Sequence, residues 1–256
     1  MFRGDGGDSP PSLDYRTKLA RGRWRVAVYP DAGEAVATFQ SAAGIGPSYG
    51  VGSPATGADP SAERRAKRNI RRYCAANRLA YLWDATYAAS DDARFDPRSV
   101  RSDIRTFFRR LRRVLGRTFP YLWVTEWHKT GHGLHIHFAL DQYVAHATVR
   151  DVWGHGYVFV RGPRRRVAAR ETRRQARRVA RYVAKYVAKD TAAAGGLHRY
   201  EVAQGFQPQI RVAYAATAEE ALKAAALEMG CEPVRTWDSA SNVNWTGPHA
   251  VGAEWD

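Results

Sequence analysis

Cysteine is nearly absent: 256 residues contain only Cys74 and Cys231, far apart in the chain. Neither a disulfide framework nor a paired-cysteine zinc site is available, so both thiols read as reduced, in an intracellular protein. No apolar run approaches membrane-spanning length, and the opening MFRGDGGDSPPS has no signal-peptide core, which points to the cytoplasm. No GxxxxGKS/T stretch occurs, excluding a P-loop and with it a built-in nucleotide-driven motor. Acidic residues are the scarcer sign of charge, 25 Asp+Glu against 40 Lys+Arg, for a formal net charge of +15. That excess is the electrostatic footprint of a protein that neutralises phosphates.

What is present supports a sizeable core, with 45% apolar residues. Residues 1–14 read as a Gly, Pro, Ser and Asp tail, 23–40 as a small hairpin around Asp31–Gly33, and 41–60 as a Gly/Ser/Pro linker. A basic helix is predicted from Ser61 to about Asn77, and a strand over 79–88. Pro97 and Ser99 introduce a helix that Gly116 ends, its Val100, Ile104, Phe107, Phe108 and Leu111 recurring at helical spacing. Strands follow at 119–128, 134–140 and 156–162, then a long basic helix over 164–190, a last strand over 209–215 and a last helix over 218–229. Beyond Pro233 no usable periodicity remains. Five strands interleaved with helices predict an α+β class, with a central antiparallel five-stranded sheet that helices cover.

Within GLHIHFAL (133–140), His135 and His137 share one strand face because side chains alternate. Such a pair suits a metal, a phosphate or simply a satisfied polar face. Pairing of 119–128 with 134–140 adds Glu126 and His128 on the same side, one of them as a third ligand. Two imidazoles and a carboxylate with open positions suit a divalent ion, Mn²⁺ or Mg²⁺, that still admits a substrate oxygen.

In ARYVAKYVAKD (180–190), Tyr182 and Tyr186 stack on one helix face, and Lys185 and Lys189 each follow a tyrosine by three. A phenol with a pKa near 10 is a poor nucleophile until its charge is stabilised, and a neighbouring ammonium can do that. The same residues also fit a core stripe with Val179, Val183 and Val187. Arg173, Arg174, Arg177, Arg178 and Arg181 form a basic face, by default solvated and otherwise the surface for a DNA backbone.

Taken together, the His-hydrophobic-His strand followed by YVAKYVAKD resembles the HUH endonucleases, in particular the two-tyrosine rolling-circle replication initiators of plasmids and single-stranded DNA phages. The resemblance spans roughly residues 61–215; the first family motif is represented only by YLWDATY, where Thr86 remains and Asp84 is unusual. It implies an HUH fold over 61–215, flanked by residues 1–60 (tail, hairpin, linker) and 216–256 (helix and tail). It further implies metal ligation by His135 and His137 with Glu126, attack on single-stranded origin DNA by Tyr186, and a second nucleophile at Tyr182. A host helicase and a bacterial cytoplasm follow from the same likeness. A tyrosine transposase of the same chemistry and a non-catalytic basic DNA-binding protein are the competing readings.

Overall fold

The computed structural model describes residues 22–42, 60–163, 165–187, 200–245 and 247–256. In chain order, strands β1 (Gly22–Tyr29) and β2 (Glu34–Ser41) precede helix α1 (Pro60–Ala76) and β3 (Tyr81–Ala85). Then come α2 (Pro97–Leu115), β4 (Tyr121–Trp127), β5 (Leu134–Leu140), α3 (His146–Trp153), β6 (Val158–Gly162) and α4 (Ala169–Val187). The last elements are β7 (Tyr200–Val202), β8 (Arg211–Ala215), α5 (Ala218–Met229), β9 (Arg235–Asp238) and β10 (Ala250–Glu254). The class is α+β, but with two five-stranded antiparallel sheets rather than one central sheet. No helix among the described residues is long and apolar enough to cross a membrane.

The chain separates into two compact units, residues 54–208, and residues 1–53 together with 209–256. In the first, the strand order is β6-β3-β5-β4-β7. One face of this sheet buries Trp83, Trp123, Ile136 and Phe138 against α2 and α3. Asp96 caps α2 by accepting from the backbone N–H groups of Arg98 and Ser99 at 3.1 and 3.0 Å, with Pro97 pre-set for the first turn. The buried stripe Val100, Ile104, Phe107, Phe108 and Leu111 then faces the sheet, each side chain contributing about 1.5–3 kcal/mol by leaving water. Gly116 ends the helix at φ 65°, a left-handed conformation open to glycine. The opposite face buries Leu82, Leu122, Val124 and Ala139 against Ile70, Tyr73 and Cys74 of α1 and Val179, Val183 and Val187 of α4.

The second unit orders its strands β8-β1-β2-β10-β9. Trp24, Val26 and Val28 of β1 join Ala35, Ala37, Val251 and Ala253 in a core that α5 closes with Ala221 and Ala225. Two expectations change here. The strand near 209–215 pairs with β1, Trp24 opposite Ala215, so the fifth strand of the histidine-bearing sheet is β7 instead. The segment beyond Pro233 contributes β9 and β10 to the sheet that the N-terminal hairpin begins, rather than forming a tail. β10 escapes periodicity because its Ala250, Val251, Gly252 and Ala253 are all buried, leaving a run of small residues without alternation. Gly252 is required there: a Cβ would collide with the indole of Trp237.

Candidate functional site

Strand register assembles the site. His137 lies opposite Val124 on one side and Asp84 on the other, while His135 lies opposite Glu126. Directly paired residues of neighbouring strands point to the same face. Asp84, Glu126, His135 and His137 therefore all project from the face that α4 covers, on the three inner strands of the sheet.

His137 and Asp84 are 3% and 2% exposed, so each must have its polar atoms satisfied within the protein. His137 Nδ1 is 2.6 Å from Asp84 Oδ1, and Nε2 is 3.2 Å from Glu126 Oε2. The carboxylate of Asp84 accepts from Nδ1–H and fixes the ring. The other ring nitrogen, Nε2, is left facing the Glu126 carboxylate. Burial raises the Asp84 carboxyl, but the hydrogen bond and charge of His137, then those of Arg161, outweigh it and hold its pKa below the usual range. Burial, with the charges of His128 and His137, lowers His135 and favours its neutral, donor form.

Alternation along β6 puts Arg161 on the face of Phe159, opposite Val158 and Val160, and the structure brings it to the site. Leu82 pairs with Gly162 and Trp83 with Val160, so Arg161 is the extra residue of a β-bulge. The bulge turns its guanidinium to the Asp84 carboxylate, with which it is ion-paired through Nε. What the sequence of β6 does not reveal is its partner strand: only the β3–β6 pairing sets Arg161 beside Asp84.

Helix α4 brings the phenols to the same place. Val179, Val183 and Val187 enter the core, and the neighbouring stripe carries half-buried Tyr182 and Tyr186. Tyr186 stacks on His137 with ring centroids 4.2 Å apart and planes 16° apart. Tyr182 meets the same imidazole edge-on at 5.8 Å and lies 5.3 Å from Tyr186. Both descriptions of the tyrosines hold: they pack against the core, and they reach the histidine strand. Burial raises the Tyr186 phenol, and a hydrogen bond with Tyr182, the Tyr182 charge and the carboxylates of Glu126 and Asp84 add to that. Arg161 is close enough to both phenols to feel their charge.

The remaining candidates divide. Lys185 is exposed, its ammonium 5.8 Å from the centroid of the Tyr182 ring, while Lys189 lies outside the described residues. Arg174, Arg178 and Arg181 are exposed on α4, and Arg173 and Arg177 are half-buried. The ring of His128 stacks on His135 at 4.4 Å. Among the described residues, no three His, Cys, Asp or Glu side chains come together closely enough to hold a metal ion by themselves. The donors nonetheless fit a divalent ion in kind. His137 and Glu126 face each other, Asp84 anchors the far nitrogen of the ring as carboxylates anchor metal-binding histidines, and neutral His135 stands opposite Glu126.

Residues 80–191 match a family model described as a replication-associated protein. The matched span runs from the threshold of β3 past the end of α4, so it contains every residue of the site, and it supports a Rep-type replication initiator that works on DNA. No curated protein and no solved structure matches the chain.

Proposed function

We propose that the protein initiates rolling-circle replication by nicking and rejoining single-stranded origin DNA through a covalent 5′-phosphotyrosine, as an HUH endonuclease of the two-tyrosine type. The observation that carries the reading is Tyr186 stacked at 4.2 Å on His137, a histidine whose ring is already locked by Asp84. Tyr186 thus stands against an imidazole flanked by two carboxylates, the position a nucleophile beside a cation site would occupy.

Tyr186 Oη attacks the scissile phosphorus, the new O–P bond forms as the P–O3′ bond breaks, and the phenol proton ends on the released 3′-hydroxyl. The ester retains the bond energy, so resealing needs no nucleoside triphosphate, in keeping with the missing P-loop. His135, His137 and Glu126 would hold Mn²⁺ or Mg²⁺, which when bound withdraws charge from a nonbridging phosphate oxygen. Asp84 keeps His137 in the tautomer and orientation that direct Nε2 toward Glu126. Arg161 supplies a fixed positive charge near both phenols. Tyr182, one helical turn away, is the second nucleophile, able to cut the regenerated origin so that the first linkage resolves into a circle. Lys185, and Lys189 beyond it in sequence, are the ammonium groups for the two phenols. Unwinding then falls to a host helicase, in a bacterial cytoplasm.

The test is a denaturing gel with a labelled single-stranded origin oligonucleotide and Mn²⁺. A covalent protein–DNA band is expected from the unaltered chain, and peptide mass spectrometry should place the DNA on Tyr186 or Tyr182. An undiminished band from the Tyr182→Phe, Tyr186→Phe double variant would overturn the reading.

A further inference from the structure

Two features of the 54–208 unit have no part in the chemistry above. Beside the start of α4 and the segment that follows β6 lies a cleft of about 500 Å³, lined by Arg165, Arg166, Arg174 and Arg178. Glu171 opens into the same cleft, leaving the lining strongly positive. Arg174, Arg178, Tyr182 and Tyr186 form one i, i+4 row along the helix, so the cleft lies about 6–12 Å up the row from the first tyrosine. The second feature is the edge strand β6. Phe159 pairs with Asp84, and Tyr157 exchanges both backbone hydrogen bonds with Thr86, so both aromatics belong to the face that carries the site. They are 53% and 65% exposed, although the same face is core two strands away. Large exposed aromatics beside a functional face call for a partner.

We infer that Tyr157 and Phe159, with the arginine cleft, form a track that leads one unpaired DNA strand across the tyrosine site, bases stacked on the β6 aromatics and phosphodiesters held by the arginines. The track rests on the nicking reading for its purpose. Charge complementarity selects a polyanion. Stacking selects a single strand, because a duplex hides its base faces. The cleft is of the size that encloses one small-molecule-sized group and cannot take a double helix. The arginines do not read sequence; they set the register of the backbone, so the scissile phosphate arrives under Tyr186.

The experiment uses the full chain and a fluorescent twelve-residue oligothymidylate, with anisotropy measured over a range of salt concentrations. Phe159→Ala and Tyr157→Ala should each weaken binding about tenfold without changing the salt slope. The triple variant Arg165→Ala, Arg166→Ala, Arg178→Ala should reduce the slope of log K against log salt by about 2. A charge-matched triple, Arg109→Ala, Arg110→Ala, Arg113→Ala, on exposed positions of α2, should reduce it less. Circular dichroism confirms folding of each. Equal effects of the two triples, wild-type affinity in both aromatic variants, or equally tight binding of a twelve-pair duplex would each overturn the track. Adduct formation on origin DNA is scored separately: a track that binds as described while no adduct forms removes the nicking reading alone, and an adduct with no track effect removes the track alone.

Discussion

Strand β5 has two sides that use the same backbone for opposite ends. Ile136 and Phe138 point to the α2 and α3 side, where Phe138 stacks parallel to Trp83 at 6.1 Å and edge-on to Phe107 at 5.3 Å. His135 and His137 point to the α4 side, where the apolar core of Leu122, Val124 and Ala139 gives way to two carboxylates, an arginine and two phenols. On the first side most of the neighbours are apolar and the gain is burial. On the second, buried polar groups persist because each is matched, Asp84 to His137 and Arg161, and His137 to Glu126. The lesson is that the aromatic side holds the strands still, and the polar side relies on that stillness to set distances of about 3 Å.

The largest break in this comparison should come from the Tyr182→Phe, Tyr186→Phe double variant. It keeps both rings in place and removes only the hydroxyls, so adduct formation should fall at least about 10³-fold while the melting temperature stays near that of the unaltered chain. Phe138→Ala tests the other side. Urea unfolding should show a loss of about 3–5 kcal/mol from the emptied core, and adduct yield should fall only as far as the folded fraction does. Asp84→Asn falls between the two. It leaves the carboxylate's place filled but uncharged, loosens both His137 and Arg161, and should cut single-turnover adduct formation and Mn²⁺ affinity about 10–100-fold.

The smallest effect concerns pH. Burial pushes the Cys74 thiol and the Tyr73 phenol, both in the core on the α4 side, well above their usual values. Each group is held protonated by folding, so its contribution to stability is complete below the unfolded pKa and declines as pH rises past it, near about 8.5 for cysteine and 10 for tyrosine. Unfolding free energy should therefore start to fall above about pH 8.5. Cys74→Ala should delay that decline toward the tyrosine range, and an unchanged alkaline limb in that variant would show the thiol is not its source.

Much of this is legible in the residues. Alternation places His135 and His137 on one face, helical spacing places Tyr182 and Tyr186 on one stripe, and the apolar stripe of α2 marks its buried side; all three depend only on local backbone period. Asp84 is visible as a polar residue in an apolar strand, but its role as anchor needs the β3–β5 register. Arg161 shares a face with Phe159 by alternation, but its place beside Asp84 needs the β3–β6 pairing, and the stacking of His128 on His135 is set by side-chain packing. The fifth strand differs from expectation because strand composition says nothing of partner: 209–215 and 200–202 both lie downstream of α4, and only non-local hydrogen bonding gives the first to β1 and the second to β4.

The amino-acid order alone determined the class of the fold, the excess of positive charge, and the types of side chain offered for chemistry, since these follow from composition and from periods of two and 3.6 residues. Only the tertiary structure decided that the phenol of residue 186 lies on the imidazole of residue 137, that a bulge arginine joins them, and that the chain's two ends build one sheet. Such contacts join segments distant in sequence, and their choice rests on the packing of whole elements rather than on any local preference.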